Sequence, residues 1–358
     1  MIDEYQDFSY LFDNFLGTIK KLCPDATIFA VGDDWQAINA FAGSDVKYFN
    51  GFLDRYDDAR RYNITTNYRS LVEIVEASNR LMECFDSSYP VKSARNKGAN
   101  MQLGYVQDLQ MFPYEQKVAN NDVRIAAYLR LAQSFLDEGK TVAFLSRTNK
   151  EIENLEDYLR SFFPREKRDL ISVSTTHKYK GKQREAVVVI DAEIGKYPLI
   201  NPSWIFNRIF GDTINKIIDD ERRLFYVAIT RAKDDLILLT TRNEESPFFD
   251  DMPRIPELSW NKYPPLRKNG SDSSSHVKVI ISNRPGYKYY PTANIKGLLK
   301  AAGYKYNGDG TWYKYYPQIK DILSVLLCEP WAISADNIII EIIDTDGKSL
   351  GKHTIVKT

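Results

Sequence analysis

Apolar positions along the chain fall into two alternating rhythms. Short runs rich in β-branched residues at 27–32, 141–145, 170–173, 186–190 and 235–239 read as buried strands that deliver polar groups at their carboxyl ends. Between them, apolar residues recur at helical spacing over 70–85, 115–136, 149–162 and 220–233. Strands that alternate with helices predict an α/β fold built on a doubly wound parallel sheet, in which ligands gather at the carboxyl ends of the strands. Farther on, 253–275 turns to Pro, Ser, Asn and Gly and reads as a linker. The residues after it predict strands at 277–282 and 338–343 and a helix at 292–302, a small α+β module.

Length and composition narrow the class. A chain of 358 residues has room for two or three domains and a sizeable core. Its 48 Lys and Arg balance 48 Asp and Glu, so any nucleic-acid partner must be held by local patches and not by a basic chain. An aromatic content of 13% excludes a disordered chain. Cys23, Cys84 and Cys328 show no CxxC spacing, which argues against a disulfide framework or a zinc site and for a reducing compartment. No run approaches a membrane span, and the acidic start Met1-Ile2-Asp3-Glu4 is unlike a signal peptide, so a cytoplasmic location without membrane partners is expected.

Five constellations sit where the pattern ends a strand or caps a helix. Ile2-Asp3-Glu4-Tyr5-Gln6-Asp7 places two carboxylates side by side, the chemistry of one acid on Mg²⁺ and a neighbour orienting water, although such pairs are usually solvated surface acids. Gly32-Asp33-Asp34-Trp35-Gln36 follows a strand with an amide that can donate to a phosphate and accept from water; it also reads as an ordinary Gly-Asp turn. Asn67-Tyr68-Arg69-Ser70 opens a helix with an aromatic beside an Arg, suited to a base and a phosphate, or simply to capping. Thr175-Thr176-His177-Lys178-Tyr179-Lys180-Gly181-Lys182-Gln183 crowds hydroxyl, imidazole and ammonium groups into a loop between strands. In Glu221-Arg222-Arg223-Leu224-Phe225-Tyr226-Val227-Ala228-Ile229-Thr230-Arg231, the face Leu224, Val227, Ala228 aims Arg231 from the end of the helix, where the bland alternative is a charged amphipathic helix.

Taken in order, these five resemble motifs II, III, IV, V and VI of the UvrD/Rep-like superfamily 1 DNA helicases, the helicase IV-like branch in particular. The resemblance implies RecA-like domains, ATP and Mg²⁺ as cofactors, single-stranded DNA as partner, 3′–5′ movement and a place in DNA repair. It makes Asp3 the Mg²⁺ ligand, Glu4 the base that activates water, Gln36 the γ-phosphate sensor, Tyr68 the ring on adenine, and Arg69 and Arg231 the γ-phosphate clamp. Gln183 stands where many members carry a Glu for the ribose. Phe41 takes the place of a base-stacking aromatic, with His177 and Lys180 as contacts to the DNA backbone, while Asn39 and Ala42 replace the family's usual Tyr and Arg.

No GxxxxGK[ST] occurs in the sequence, so the resemblance further implies a C-terminal portion whose phosphate-binding loop lies elsewhere, inactive by itself unless the N-terminal half is joined or supplied in trans. The competing reading is a nucleic-acid-binding or regulatory remnant that hydrolyses nothing. The span from Arg69 to Thr175 is too short to hold the family's large inserted subdomain as well as a core domain. The expected organisation is a truncated first RecA-like domain at 1–62, a complete second one at 63–252, the linker 253–275 and the module 276–358. That module interleaves seven basic residues, from Lys278 to Lys314, with Tyr287, Tyr289, Tyr290, Tyr304, Tyr306, Trp312 and Tyr313 against the single acid Asp309. This is a recipe for binding single strands, with Trp312 expected to be exposed beside Gly310; the same rings could instead form the core of a small domain.

Overall fold

The computed structural model describes residues 1–56, 58–85, 89–95, 100–201, 213–267, 276–286, 290–307, 310–317, 322–343 and 349–357. It is a mixed α/β protein with one parallel and one antiparallel five-stranded sheet, divided into two units. No described helix is long and apolar enough to cross a membrane.

The first unit comprises residues 1–110, 131–153 and 170–264. Two strands, β1 (Thr66–Asn67) and β2 (Lys92–Ser93), form a small parallel pair. The main sheet holds β3 (Asn100–Tyr105), β4 (Val142–Ser146), β5 (Ile171–Thr175), β6 (Arg184–Val189) and β7 (Ala232–Thr240) in the order β3-β7-β6-β4-β5, every pair parallel. All five residues of β4 are buried, as are Ala186 to Val189 of β6, which is why these strands read as continuous apolar runs. Ala143, Leu145, Val187, Val189, Leu236 and Leu238 share one core with Ile74 and Leu81 of the helix Val72–Leu81 and with Leu224 and Val227 of the helix Ile214–Ile229.

Several elements differ from the sequence expectation. Residues 27–32 do not form a regular strand; Ala30 makes only a parallel bridge to Ile2, because the partner chain turns at Glu4 into the left-handed region (φ 52°). The helix expected over 115–136 is two helices, Pro113–Val118 and Val123–Asp137, since Asn120 and Asn121 both take positive φ (51° and 59°). The helix expected over 220–233 begins at Ile214, where the Thr213 hydroxyl accepts from Lys216 N at 3.1 Å, and ends at Ile229, so that Lys233 already lies in β7. The sheet also gains β3, whose Gly104 breaks the apolar run in sequence. A Cβ there would lie 2.6 Å from Leu239 Cδ2, so the glycine lets β3 lie close to β7.

The second unit comprises residues 111–130, 154–169 and 265–358. Its antiparallel sheet, in the order β12-β11-β8-β10-β9, is built from β8 (His276–Asn283), β9 (Lys305–Tyr306), β10 (Trp312–Pro317), β11 (Ile338–Ile343) and β12 (Ser349–Ile355). Residues expected to be one helix at 292–302 form two, Pro291–Asn294 and Lys296–Ala301. Alternate residues Val277, Val279, Ile281, Ile338, Ile340 and Ile342 face a core completed by Leu299, Leu326 and Trp331.

Candidate nucleotide site

The bridge between Ile2 and Ala30 sets two polar turns side by side, and Gln6 joins them. Its amide nitrogen donates to Glu4 Oε2 at 2.5 Å, and its oxygen accepts from Asp33 N at 3.0 Å. Gly32 allows this approach: a Cβ there would lie 2.6 Å from Gln6 Oε1 and 2.8 Å from Phe49 Cε2. Asp33 caps the short 3-10 turn Asp34–Gln36, accepting from Trp35 N at 3.1 Å and from Gln36 Nε2 at 2.7 Å. Burial holds its carboxyl above the ordinary carboxylate value, against the opposing pull of the Gln36 bond. With its nitrogen fixed on Asp33, Gln36 turns its oxygen toward the end of the helix Ile214–Ile229. Asp3 and Glu4 stay exposed, with Glu4 N donating to Asp3 Oδ1 at 2.9 Å.

Arg231 meets that amide oxygen. The helix Ile214–Ile229 buries Leu224, Val227 and Ala228, and just beyond its end Arg231 is 1% exposed. Its Nε donates to Val227 O at 2.9 Å, and its Nη2 donates to Thr230 Oγ1 at 3.0 Å and to Gln36 Oε1 at 3.2 Å. Burial, and then the charge of Arg69, bring its pKa down to about 10. Arg69 donates to Thr230 O at 3.3 Å, and its own backbone is fixed by Asn67 Oδ1, which accepts from Arg69 N at 2.8 Å and Ser70 N at 2.9 Å. Arg95 adds a brace to Arg69 O at 2.6 Å and to Asp234 Oδ1 at 2.6 Å. Beside Arg69, the Tyr68 ring is 77% exposed and open to a planar ligand.

The structure thus brings Glu4, Gln36, Arg69 and Arg231 into one run of contacts through Gln6, Asp33 and Thr230. Gln183 stands exposed in the turn before β6 and takes no part in these contacts. His177 is half-buried, and burial, with Arg147 nearby, lowers its pKa to about 4. Lys180 donates to Asp7 Oδ2 at 2.6 Å and to Gln36 O at 2.8 Å. The backbone of Phe41 lies in the turn Ala40–Ala42, and its side chain falls outside the described residues.

The expected exposure of Trp312 is overturned. Its ring is 5% exposed and packs 5.2 Å from Tyr306, because pairing with Ile281 puts it on the core face of the sheet despite the turn at Gly310. Tyr304 and Tyr316 are buried with it, joined hydroxyl to hydroxyl at 3.0 Å, whereas Tyr290 and Tyr306 are exposed. Lys305 and Tyr313 both bind Asp157, at 3.1 and 2.7 Å. Tyr287, Lys288, Tyr289, Asp309 and the Tyr315 side chain lie outside the described residues.

Sequence reading gave no role to several residues that organise the site, namely Gln6, Asp7, Asp33, Asn39 and Arg95. A further network ends β4 and β6. Arg147 forks onto Glu221 at 2.6 and 2.9 Å, and Asp191 accepts from Ser146 Oγ at 2.8 Å and from Arg147 N at 3.0 Å. The available signal was position, since polar residues at the carboxyl ends of parallel strands are where such folds place their ligands.

Two family models match the chain: the UvrD/REP helicase N-terminal domain over residues 1–57 and the UvrD-like helicase C-terminal domain over 163–243. DNA helicase IV of Escherichia coli is 25% identical over 253 residues, 70% of this chain and 35% of that protein. A probable DNA helicase of Mycoplasma pneumoniae is 25% identical over 318 residues, 85% of this chain and 54% of that protein. The chain therefore spans about a third and about half the length of these two relatives, at 35% and 54%. Both matched stretches are thus similar to the UvrD/Rep-like superfamily 1 helicases, a family of ATP-dependent DNA helicases.

Proposed function

We propose that this chain forms part of an ATP-driven translocase or helicase that moves 3′–5′ on single-stranded DNA in the cytoplasm, with the nucleotide bound at the Glu4–Gln36–Arg231 cluster. The observation that carries this reading is the contact of Arg231 with Gln36, with Arg69 one residue away through Thr230. Two guanidiniums held close together, with Arg231 lowered in pKa partly by the charge of Arg69, suit a polyanion. ATP fits this donor set: Arg69 and Arg231 clamp the γ-phosphate, Gln36 senses it, Tyr68 stacks on adenine, and Gln183 lies on the ribose side. Asp3 would hold Mg²⁺, which characteristically takes one or two carboxylates together with phosphate oxygens, and the ion would neutralise charge on the phosphates. Glu4, oriented by Gln6, accepts the proton of the attacking water.

In this reading 63–252 is a RecA-like domain, 1–62 belongs to a second one, and 276–358 is an appended module. The loop that cradles the β and γ phosphates comes from polypeptide outside these 358 residues, joined or in trans. His177 and Phe41 are the DNA contacts of this reading. The three cysteines, all free and exposed, fit a reducing compartment. The test is phosphate release with Mg²⁺-ATP, with and without single-stranded DNA, from a form that carries the loop. DNA-stimulated turnover is expected, and roughly 10³-fold less of it in Arg231→Ala, the scale of an arginine finger. Equal turnover in parent and variant overturns the assignment.

A further inference from the structure

Lys180 has little freedom to serve DNA. Its side chain is 12% exposed, donating to Asp7 Oδ2 at 2.6 Å and to Gln36 O at 2.8 Å, and its ammonium lies 3.7 Å from Glu4 Oε2. Asn39 Nδ2 donates to the same Asp7 oxygen at 2.8 Å, while Asp7 Oδ1 is buried with no hydrogen-bond partner among the described residues. Two of the ammonium's three donors thus end on protein oxygens, and a third oxygen, of Glu4, lies at ion-pair distance. The loop is shaped to deliver it: Thr175 caps the short helix Thr176–Tyr179, Lys180 follows, and Gly181 turns the chain at φ 80°. Residues far apart in sequence thus meet at one cation. Asp7 and Glu4 come from the first polar turn, Gln36 and Asn39 from the second, and Lys180 from the loop between β5 and β6.

We propose that Lys180 is a positioning residue of the nucleotide site, fixing the Gln36 backbone and Asp7 so that Gln36 and Glu4 keep their arrangement, and not a ligand of DNA phosphates. This rests on the function proposed above for that site. Removing the ammonium leaves the half-buried Asp7 carboxylate with Asn39 alone and frees the carbonyl of the residue that senses the γ-phosphate.

The tie itself is tested by urea unfolding of the parent, Lys180→Met, Asp7→Asn and the double variant. The double variant is expected to unfold at the midpoint of the more affected single; additive shifts would show that the two side chains do not interact and overturn the proposal. The role is tested by binding of a labelled single-stranded oligonucleotide across salt concentrations. Lys180→Met should leave the slope of log K against log salt unchanged, and a slope smaller by about 1 would restore Lys180 to the DNA. In ATP turnover, Lys180→Met should lower kcat by roughly 10-fold or more with KM changed little, and Lys180→Arg should recover part of it. A rise in KM alone, or no recovery with Arg, goes against positioning. These turnover and binding tests use a form that carries the phosphate-binding loop; if that form, unsubstituted, binds no DNA and turns over no ATP, the site's function is at fault, and the unfolding cycle then decides the tie without it.

Discussion

At the scale of single residues, the site is organised by groups held at a cost. The hydrogen-bond acceptors of Arg231 are Val227 O, Thr230 Oγ1 and Gln36 Oε1, all neutral oxygens, and its nearest strong influence after burial is the like charge of Arg69. A guanidinium buried in this way opposes folding, and an apolar side chain of similar length removes that penalty. Arg231→Met is therefore expected to unfold within about 1 kcal/mol of the parent, or at higher urea, while losing turnover. A loss of several kcal/mol would make Arg231 a structural residue. Asp191 and His177 give a second residue-level expectation. Burial raises the Asp191 carboxyl to about 6 from 3.8, so the folded protein holds that proton more tightly than the unfolded chain and stability falls as pH rises from about 3.8 to about 6. For His177, lowered from 6.5 to about 4, the sign is reversed: the unfolded chain binds the proton more tightly, and stability falls as pH drops from 6.5 to about 4. The two slopes oppose each other. In Asp191→Asn the His177 slope stands alone, so urea midpoints should drop more steeply between pH 6 and pH 4 than in the parent. Parallel profiles would mean that folding does not raise the Asp191 pKa.

At the scale of elements, Gly32 shows how a strand end builds the site. Gly32→Ala places a Cβ against the side-chain atoms Gln6 Oε1 and Phe49 Cε2 at 2.6 and 2.8 Å, which must shift, and 3.1 Å from the backbone Gln6 N, which gives way less easily. A loss of about 1–3 kcal/mol is expected by urea unfolding, together with loss of turnover, because Gln6 then no longer links Glu4 to Asp33. Stability equal to the parent would mean that the turn adapts. The same elements show what the sequence made legible. The strands β4, β6 and β7 were readable because a sheet buried on both faces leaves continuous apolar runs, and the buried side of the helix Ile214–Ile229 was readable from Leu224, Val227 and Ala228. The strand β3 was not readable, because Gly104 and Gln102 interrupt its apolar pattern. The break at Asn120 and Asn121 was hidden too, since helical spacing continues on both sides of two residues whose positive φ carries no periodic signal. The site was legible as motifs but not as contacts. Nothing in a one-dimensional pattern places Arg231 on Gln36 or Lys180 on Asp7, because those pairs are made by the packing of distant elements.

At the scale of the whole molecule, zero net charge leaves DNA binding to local surface, and the question is whether the second unit supplies any of it. The alternation along β8, β10 and β11 answers for Trp312. Val277, Val279, Ile281, Trp312, Tyr316, Ile338 and Ile340 all fall on one face and share a core with Trp331, so the indole is stabilising mass and not a platform for bases. Two of the basic residues are similarly engaged: Lys314 lies over the Tyr316 ring at 4.5 Å and donates to Ala302 O at 2.7 Å, and Lys305 binds Asp157. Small domains depend on such large side chains, and truncating a buried Trp or Phe costs about 3–5 kcal/mol. Trp312→Ala is accordingly expected to lower the unfolding free energy of the second unit by about that amount, read from urea titration of the full chain by circular dichroism. Under native conditions, the affinity of the chain for a labelled single-stranded oligonucleotide and its salt dependence should stay as in the parent, since the substitution removes no surface ring and no exposed cation. The opposite pairing of results, unchanged unfolding with weakened binding, would place the indole at the nucleic acid and the core elsewhere.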